Sequence, residues 1–328
     1  MTGKLIDSFG RRVEYVRLSV TDRCNLRCFY CLPRRFRGFT EREEWLRFDE
    51  IERVIAAFGE LGVRRVRITG GEPLLRKNLP ALVGRLRGLP GIDEISLSTN
   101  AVLLARAAAA LKRAGIRRIN VSLDTLRPER FARVTGGDSL ADVLAGLAAA
   151  RAAGFDPIKI NMLALKGIND DEFEDMVEFC LAGNYILRFI ETMPMGGTGR
   201  EASRHYLDLQ EVRRRLAERY EFVPVLVPGG GPARYVQVKG SELRIGFITP
   251  ISQHFCASCN RVRLAVDGTL YLCLGQEHKL ELRPLLRRGI DDAELRAALV
   301  ATVWRKPERH DFNENAKQIN RLMSVTGG

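Results

Sequence analysis

Two sets of three cysteines carry the chemistry open to this chain. Cys24, Cys28 and Cys31 are spaced C-x3-C-x2-C in the stretch RLSVTDRCNLRCFYCLP, directly after the apolar alternation Tyr15, Val16, Leu18, Val20. A closed zinc site wants four protein ligands, and the nearest histidine lies far along the chain at His205. A redox pair of Cys28 and Cys31 leaves Cys24 without a role. Three thiolates in eight residues suit a cubane iron–sulfur cluster whose fourth iron stays open to a small molecule. Cys256, Cys259 and Cys273 form a second set, C-x2-C-x13-C. His254 and His278 lie close by, so for this set a Cys3His zinc site stands beside a second cluster as a reading. Cys180, the seventh, lies in a helix-like segment and reads as a small buried hydrophobe.

Cations accompany the second set. Arg261 and Arg263 alternate on one strand face just after Cys259, which is unfavourable beside a purely structural metal but suits a phosphorylated ligand. The chain has no G-x-x-x-x-G-K-[ST] motif, so phosphates would have to be met by side chains. Arg17, Arg67, Lys159, Arg261 and Arg263 are the candidates. For Arg17 and Arg67, inside strands, a salt bridge to a carboxylate is an equal alternative. Gly70-Gly71-Glu72-Pro73 offers backbone N–H and C=O groups with no side chain in the way.

These residues need a scaffold, and the periodicity supplies one. Short apolar strands are expected at 15–20, 65–69, 94–98, 118–123, 158–163 and 186–190, with helices at 49–61, 79–89, 101–114, 140–153 and 171–181. Asp49 precedes one apolar-periodic run, and Gly62, Gly115 and Gly154 follow the ends of three helices. Repeated strand–helix units imply a parallel sheet with right-handed crossovers. Six units fall short of an eight-stranded barrel. The expected fold class is therefore α/β, a partial (βα)6 TIM-type barrel over residues 1–195. Residues 196–328 would form a C-terminal α+β extension carrying the second cysteine set. Ligands of such barrels sit at the carboxyl ends of strands. There lie the first cysteine loop, Ser98, Ser122, Asp124, Glu191 and Met193, with Lys159 and Asn161 within the fifth strand. Further on, 195–200 and 228–232 read as Gly/Pro-rich loops and 209–220 as a helix. Residues 242–249 and 261–266 read as strands, the latter turning at Asp267-Gly268 into 269–273 as a hairpin.

Composition narrows the class. Hydrophobic residues make up 45% of the 328 and charged residues 28%, enough for a core and too polar for a membrane protein. The start carries no continuous apolar segment, so no signal peptide and a cytoplasmic location are expected. The formal charge of +12 favours an anionic partner, although a solvated arginine-rich surface accounts for most of it. No basic block interleaved with aromatics favours nucleic acid over a nucleotide. Clustered cysteines without a secretory signal point to metal rather than disulfides.

With its C-x3-C-x2-C motif, the aromatic Tyr30 and the GGEP stretch, the chain resembles the radical S-adenosylmethionine (SAM) enzymes. More closely it resembles the GTP 3′,8-cyclase family, lyases that open molybdenum cofactor (molybdopterin) biosynthesis. This likeness spans almost the whole length, through SVTDRCNLRCFYC, RITGGEPLLR, NVSLDTL, RFIETMPMG, GGPARY, FCASCNRVRL and the terminal Gly327-Gly328. It implies two [4Fe-4S] clusters, one on Cys24, Cys28 and Cys31 and one on Cys256, Cys259 and Cys273. It further implies SAM contacts at Tyr30, Gly71, Ser122 and Met193, and GTP contacts at Arg17, Arg67, Ser98, Lys159, Arg261, Val262 and Arg263. The family reaction splits SAM reductively at the first cluster, and the resulting deoxyadenosyl radical takes the hydrogen from C3′ of GTP. The C3′ radical then attacks C8, giving 3′,8-cyclo-7,8-dihydro-GTP. The implied partners are GTP, an electron donor and the next pathway enzyme, cyclic pyranopterin monophosphate synthase, with no membrane and no nucleic acid. A homodimer is left open. The family's tail would reach into the active site, whereas the sequence alone favours a frayed end. One departure bears on a turn: Ser98-Thr99-Asn100 is followed by Ala101 where the family has glycine. Two rival readings are a peptide-modifying radical SAM enzyme with an auxiliary cluster and a metal-stabilised RNA-binding module.

Overall fold

The computed structural model describes residues 4–227, 231–314 and 319–327. Residues 228–230 of the expected loop and Gly328 of the expected tail lie outside them. All six expected barrel strands form: β1 (Tyr15–Ser19), β2 (Arg65–Thr69), β3 (Glu94–Thr99), β4 (Arg118–Ser122), β5 (Ile158–Leu163) and β6 (Ile186–Ile190). Their partners are the helices Phe48–Glu60, Leu79–Arg87, Leu104–Ala114, Leu140–Ala152 and Phe173–Gly183. Every residue of β1 is buried, as expected of a parallel strand covered on both faces. Gly115 ends its helix at φ +119°, a conformation that glycine takes without a Cβ penalty.

The sheet is larger than the sequence suggested. It has twelve strands, adding β7 (Phe222–Val225), β8 (Arg234–Val238), β9 (Arg244–Ile248), β10 (Arg261–Leu264), β11 (Thr269–Tyr271) and β12 (Lys279–Glu281). Their order is β12-β11-β10-β1-β2-β3-β4-β5-β6-β9-β8-β7. β10 pairs parallel with β1, and β9 pairs parallel with β6. The parallel run is thus eight strands long, with an antiparallel hairpin at each edge. The chain after residue 195 therefore flanks the six-stranded core on both sides.

Some local expectations fail for physical reasons. Residues 195–200 do not form a loop: Gly196–Ala202 is a short helix. Its glycines permit close packing, since a Cβ on Gly199 would lie 2.5 Å from the Met193 carbonyl. The helices Pro128–Thr135, Leu282–Arg287, Asp292–Trp304 and Met323–Thr326 were not among those expected, although Pro128–Thr135 is amphipathic and buries Phe131 and Val134. The tail is not frayed. Ser324 and Thr326 are buried, and Gly327 sits where an added Cβ would lie 2.3 Å from Thr69. Met195, Phe312 and Ile319 form a small second core beside it.

Candidate functional site

The first cysteine loop leaves the carboxyl end of β1 and is braced by the turn after β2. Gly71 N–H donates to the Thr21 carbonyl (2.8 Å) and Glu72 N–H to the Arg23 carbonyl (2.8 Å). An added Cβ on Gly71 would lie 2.4 Å from Arg23 O, so the glycine pair is needed because backbone packs on backbone there. Glu72 is fully buried and accepts from Thr99 Oγ1 (2.7 Å), Asn100 N (2.7 Å) and Leu74 N (3.0 Å). Burial pushes its carboxyl up to about 7, against the pull of those three donors. Asn100 then carries the brace to the thiols, donating through Nδ2 to Cys24 Sγ at 3.7 Å. Ala101 adopts φ +64°. The turn survives the loss of glycine, at a strain on the order of 1 kcal/mol.

Tyr30 and Asp124 close the other side. Tyr30 Oη donates to Asp124 Oδ2 at 2.6 Å, and Asp124 Oδ1 accepts from Leu163 N at 2.8 Å. Burial raises Asp124 to about 6, with Tyr30 and the Leu163 N–H acting against the rise. Burial likewise lifts Cys24 to about 11 and Cys31 to about 12, and Cys24 adds to the rise at Cys31. The Ser324 backbone N–H of the tail points at Cys31 and offsets part of it. Ser122 is exposed at the end of β4, while Gly71 and Met193 are half-buried.

The second set lies at the opposite end of the same ladder. Cys256 and Cys259 precede the amino end of β10, and β11 returns antiparallel to bring Cys273 beside them. Since Tyr15 pairs with Arg261 and Leu18 with Leu264, the two cysteine sets are separated by one strand length, roughly 15 Å. One cavity joins the second set to Arg17, Arg67, Ser98, Arg261, Arg263 and Met193. Lys159 lines an adjoining pocket that shares Arg67 and Arg188 with it. The side chain of Val262 does not take part, because strand alternation turns it into the hydrophobic core. Neither His254 nor His278 lines the cavity, and both are exposed. His310 does line it, but its Nε2 is held by the Pro250 carbonyl at 2.7 Å and its Nδ1 accepts from Phe312 N at 3.3 Å, so neither ring nitrogen is free for a Cys3His zinc site.

All seven cysteines are free thiols. Among the described residues no three His, Cys, Asp or Glu side chains converge on one metal ion. The thiols of each set nevertheless act electrostatically on one another. Two sets of three neighbouring thiols, each set within electrostatic reach of itself, have the donor chemistry of [4Fe-4S] clusters with one open iron each. Cys259 is the most acidic of the six. Burial opposes its ionisation, but Arg261, Lys306 and Arg11 bring it down to about 7.

The cavity walls are cationic to an unusual degree. In register, Arg263 lies opposite Arg17, and Arg17 opposite Arg67, a row of three guanidiniums across β10, β1 and β2. Among the described residues none of Arg17, Arg67, Lys159, Arg188, Arg261 and Arg263 has a carboxylate ion pair, which excludes the salt-bridge reading of Arg17 and Arg67. Arg17 is buried with Nε and Nη2 unpartnered, and burial and then Arg263 push it well below the ordinary arginine range. Burial, with Arg188 and Arg67, brings Lys159 down to about 7. Arg188, half-way along β6, was not singled out by motif. It donates to Asn120 and leaves Nε unpartnered. Its signal was an arginine inside the otherwise apolar strand ILRFI. Glu191 was noted only by position, yet it ties the two ends together. It is fully buried and accepts from Ile251 N (2.9 Å), Ser252 N (3.1 Å) and Ser252 Oγ, fixing the approach to Cys256.

Known proteins resemble this chain over almost its whole length. The family model described as Radical SAM superfamily matches residues 18–180, and that described as Molybdenum Cofactor Synthesis C matches residues 185–312. A GTP 3′,8-cyclase of Hydrogenovibrio crunogenus is 46% identical over 99% of both chains. Another, of Ectopseudomonas mendocina, is 48% identical over 100% of this chain and 99% of its own. Among solved structures, Streptococcus suis SuiB bound to S-adenosylmethionine covers 87% of this chain and 68% of its own, with a TM-score of 0.60. At 16% identity it is a likeness of fold alone.

Proposed function

Because the chain belongs to the GTP 3′,8-cyclase family of radical SAM enzymes, we propose that its barrel holds GTP between the two cysteine sets, with the triphosphate on the row Arg263-Arg17-Arg67. The reaction is conversion of GTP to 3′,8-cyclo-7,8-dihydro-GTP, the first step of molybdenum cofactor biosynthesis. The observation that carries the substrate assignment is a row of cations that, among the described residues, has no carboxylate partner, Arg17 buried at its centre and Arg67 and Arg263 half-buried on either side. Three guanidiniums side by side are mutually repulsive unless a polyanion sits on them.

Each part of the chain then has a task. Cys24, Cys28 and Cys31 ligate the first cluster, with Tyr30, Gly71, Ser122 and Met193 around SAM. Cys256, Cys259 and Cys273 would hold the second, at the end of the cavity assigned to the guanine. When bound, the first cluster supplies the electron that cleaves SAM and so begins the radical chemistry. The protein orients C3′ and excludes water. Lys159, Ser98, Arg188, Arg261 and the backbone of Val262 complete the nucleotide cradle, remote from the reacting carbon. Residues 1–195 act as the radical SAM barrel, and 196–328 as the auxiliary-cluster and substrate-binding region. A one-electron donor and cyclic pyranopterin monophosphate synthase are the partners expected in the cytoplasm. No described helix is long and apolar enough to cross a membrane.

The deciding measurement is iron and sulfide analysis of anaerobically purified protein, then incubation with SAM, GTP and a reductant. About eight irons per chain and 5′-deoxyadenosine release that depends on GTP are expected. Iron near four, or release indifferent to GTP, overturns the assignment.

Lys159 adds a pH signature. With its ammonium titrating near 7 rather than 10.5, triphosphate binding above pH 7 must bring a proton with it. GTP affinity should fall by up to about tenfold per pH unit above 7, and Lys159→Arg should flatten that slope. Equal slopes in calorimetric titrations of the two proteins would remove Lys159 from the cradle.

A further inference from the structure

Lys306 is only 2% exposed, just beyond the helix Asp292–Trp304. Its Nζ donates to the carbonyl of Leu272 at 2.9 Å, the residue immediately before Cys273. Among the described residues no carboxylate is paired with it. An ammonium confined in the interior without an anion is costly, and one carbonyl does not balance its charge.

The surroundings show where the balancing charge belongs. Arg11 donates through Nη1 to the carbonyls of Cys256 (2.8 Å) and Glu308 (2.6 Å), and through Nη2 to that of Pro307 (2.6 Å). The two residues after Lys306 are therefore tied to the first cysteine of the second set, while Lys306 itself holds the residue before the last. Arg11 has its own counter-ion in the buried Asp7, Nε to Oδ2 at 2.6 Å. Its charge is already balanced, and that of Lys306 is not. Lys306 is within electrostatic reach of all three thiols.

We propose that Lys306 is the built-in counter-cation of the second cluster, balancing the negative charge of its three thiolates and raising its reduction potential. This rests on reading Cys256, Cys259 and Cys273 as cluster ligands. A cation beside a cluster favours the more reduced, more negative state, and net charge around the sulfurs is a principal determinant of such potentials. Lys306 is thus a tuning residue outside the ligand set.

The test is an EPR-monitored redox titration of anaerobically reconstituted holoenzyme, comparing wild type with Lys306→Met and Lys306→Arg. The cluster signal that SAM perturbs marks the first cluster, so the other belongs to the second. Lys306→Met should move the midpoint of the second cluster to more negative potential and leave the first unchanged, while Lys306→Arg should restore most of the difference. If Lys306→Met cannot keep its second cluster and holds about four irons, retention of about eight in Lys306→Arg supports the same role, because the charge is what that variant restores. Loss of the second cluster in both variants, or an unmoved midpoint in a Lys306→Met protein with about eight irons, overturns the proposal. A wild-type chain with only about four irons overturns instead the cluster reading beneath it.

Discussion

Replacing Arg17 by methionine should make the empty protein more stable and the substrate complex much weaker. Arg17 is buried between Arg263 and Arg67 in strict register, so in the absence of an anion its charge meets two like charges and no carboxylate. Methionine keeps much of the volume and removes the repulsion, and the thermal midpoint of the GTP-free protein should rise. GTP affinity should fall by about 10²–10³-fold, the range for loss of one partner in a buried charge contact. The first cluster should be retained and SAM should still bind, since none of Cys24, Cys28 and Cys31 lines the cavity that Arg17 lines. Calorimetric unfolding and equilibrium binding check both halves. A variant that loses stability and keeps its GTP affinity would contradict the cradle.

The second large effect concerns Gly71. An alanine there would place its Cβ 2.4 Å from Arg23 O and 2.8 Å from Asp22 O, both backbone atoms unable to swing aside. The segment entering Cys24 must then shift, breaking the Gly71–Thr21 and Glu72–Arg23 hydrogen bonds. Gly71→Ala should lose the first cluster, leaving about four of eight irons, with SAM cleavage abolished and the second cluster kept. Gly84→Ala is the control. It lies in the helix Leu79–Arg87 with nothing within 4 Å of the added Cβ, and should stabilise by about 0.5–1 kcal/mol. Full iron and SAM cleavage in Gly71→Ala would refute this account of the glycine pair.

The six core strands were legible because each is a short buried run bounded by turn signals, and a parallel ladder buries both faces. Cys24, Cys28 and Cys31 were legible for another reason: the chemistry lies in one loop, where spacing survives as geometry. The location of the second set was not legible. Barrel logic sends ligands to the carboxyl ends of strands, yet Cys256 and Cys259 precede the amino end of β10. Only the pairing of Tyr15 with Arg261, two positions far apart in the chain, reveals this. Periodicity within a segment carries no information on which distant strand it will join. The same limit hid β7, β8 and β12, short strands in the partly exposed hairpins that flank the parallel run. Arg188 went unmarked because a lone cation in an apolar run has no motif, and Lys306 because it sits among charged neighbours in WRKPERH; only burial without a carboxylate distinguishes either from a surface charge.

The ladder joining β10 to β1 also works as a gauge. The two reactive ends of the lumen are not set apart by a linker that could lengthen or bend, but by a run of main-chain hydrogen bonds. A register slip that kept Arg17 facing inward would have to be two residues, a jump of roughly 6.6 Å. The lumen cannot accommodate a molecule of the wrong length by small adjustments. Selection by length is therefore built into the backbone, and side-chain substitutions in the cradle should change how tightly a substrate is held before they change which size of substrate fits.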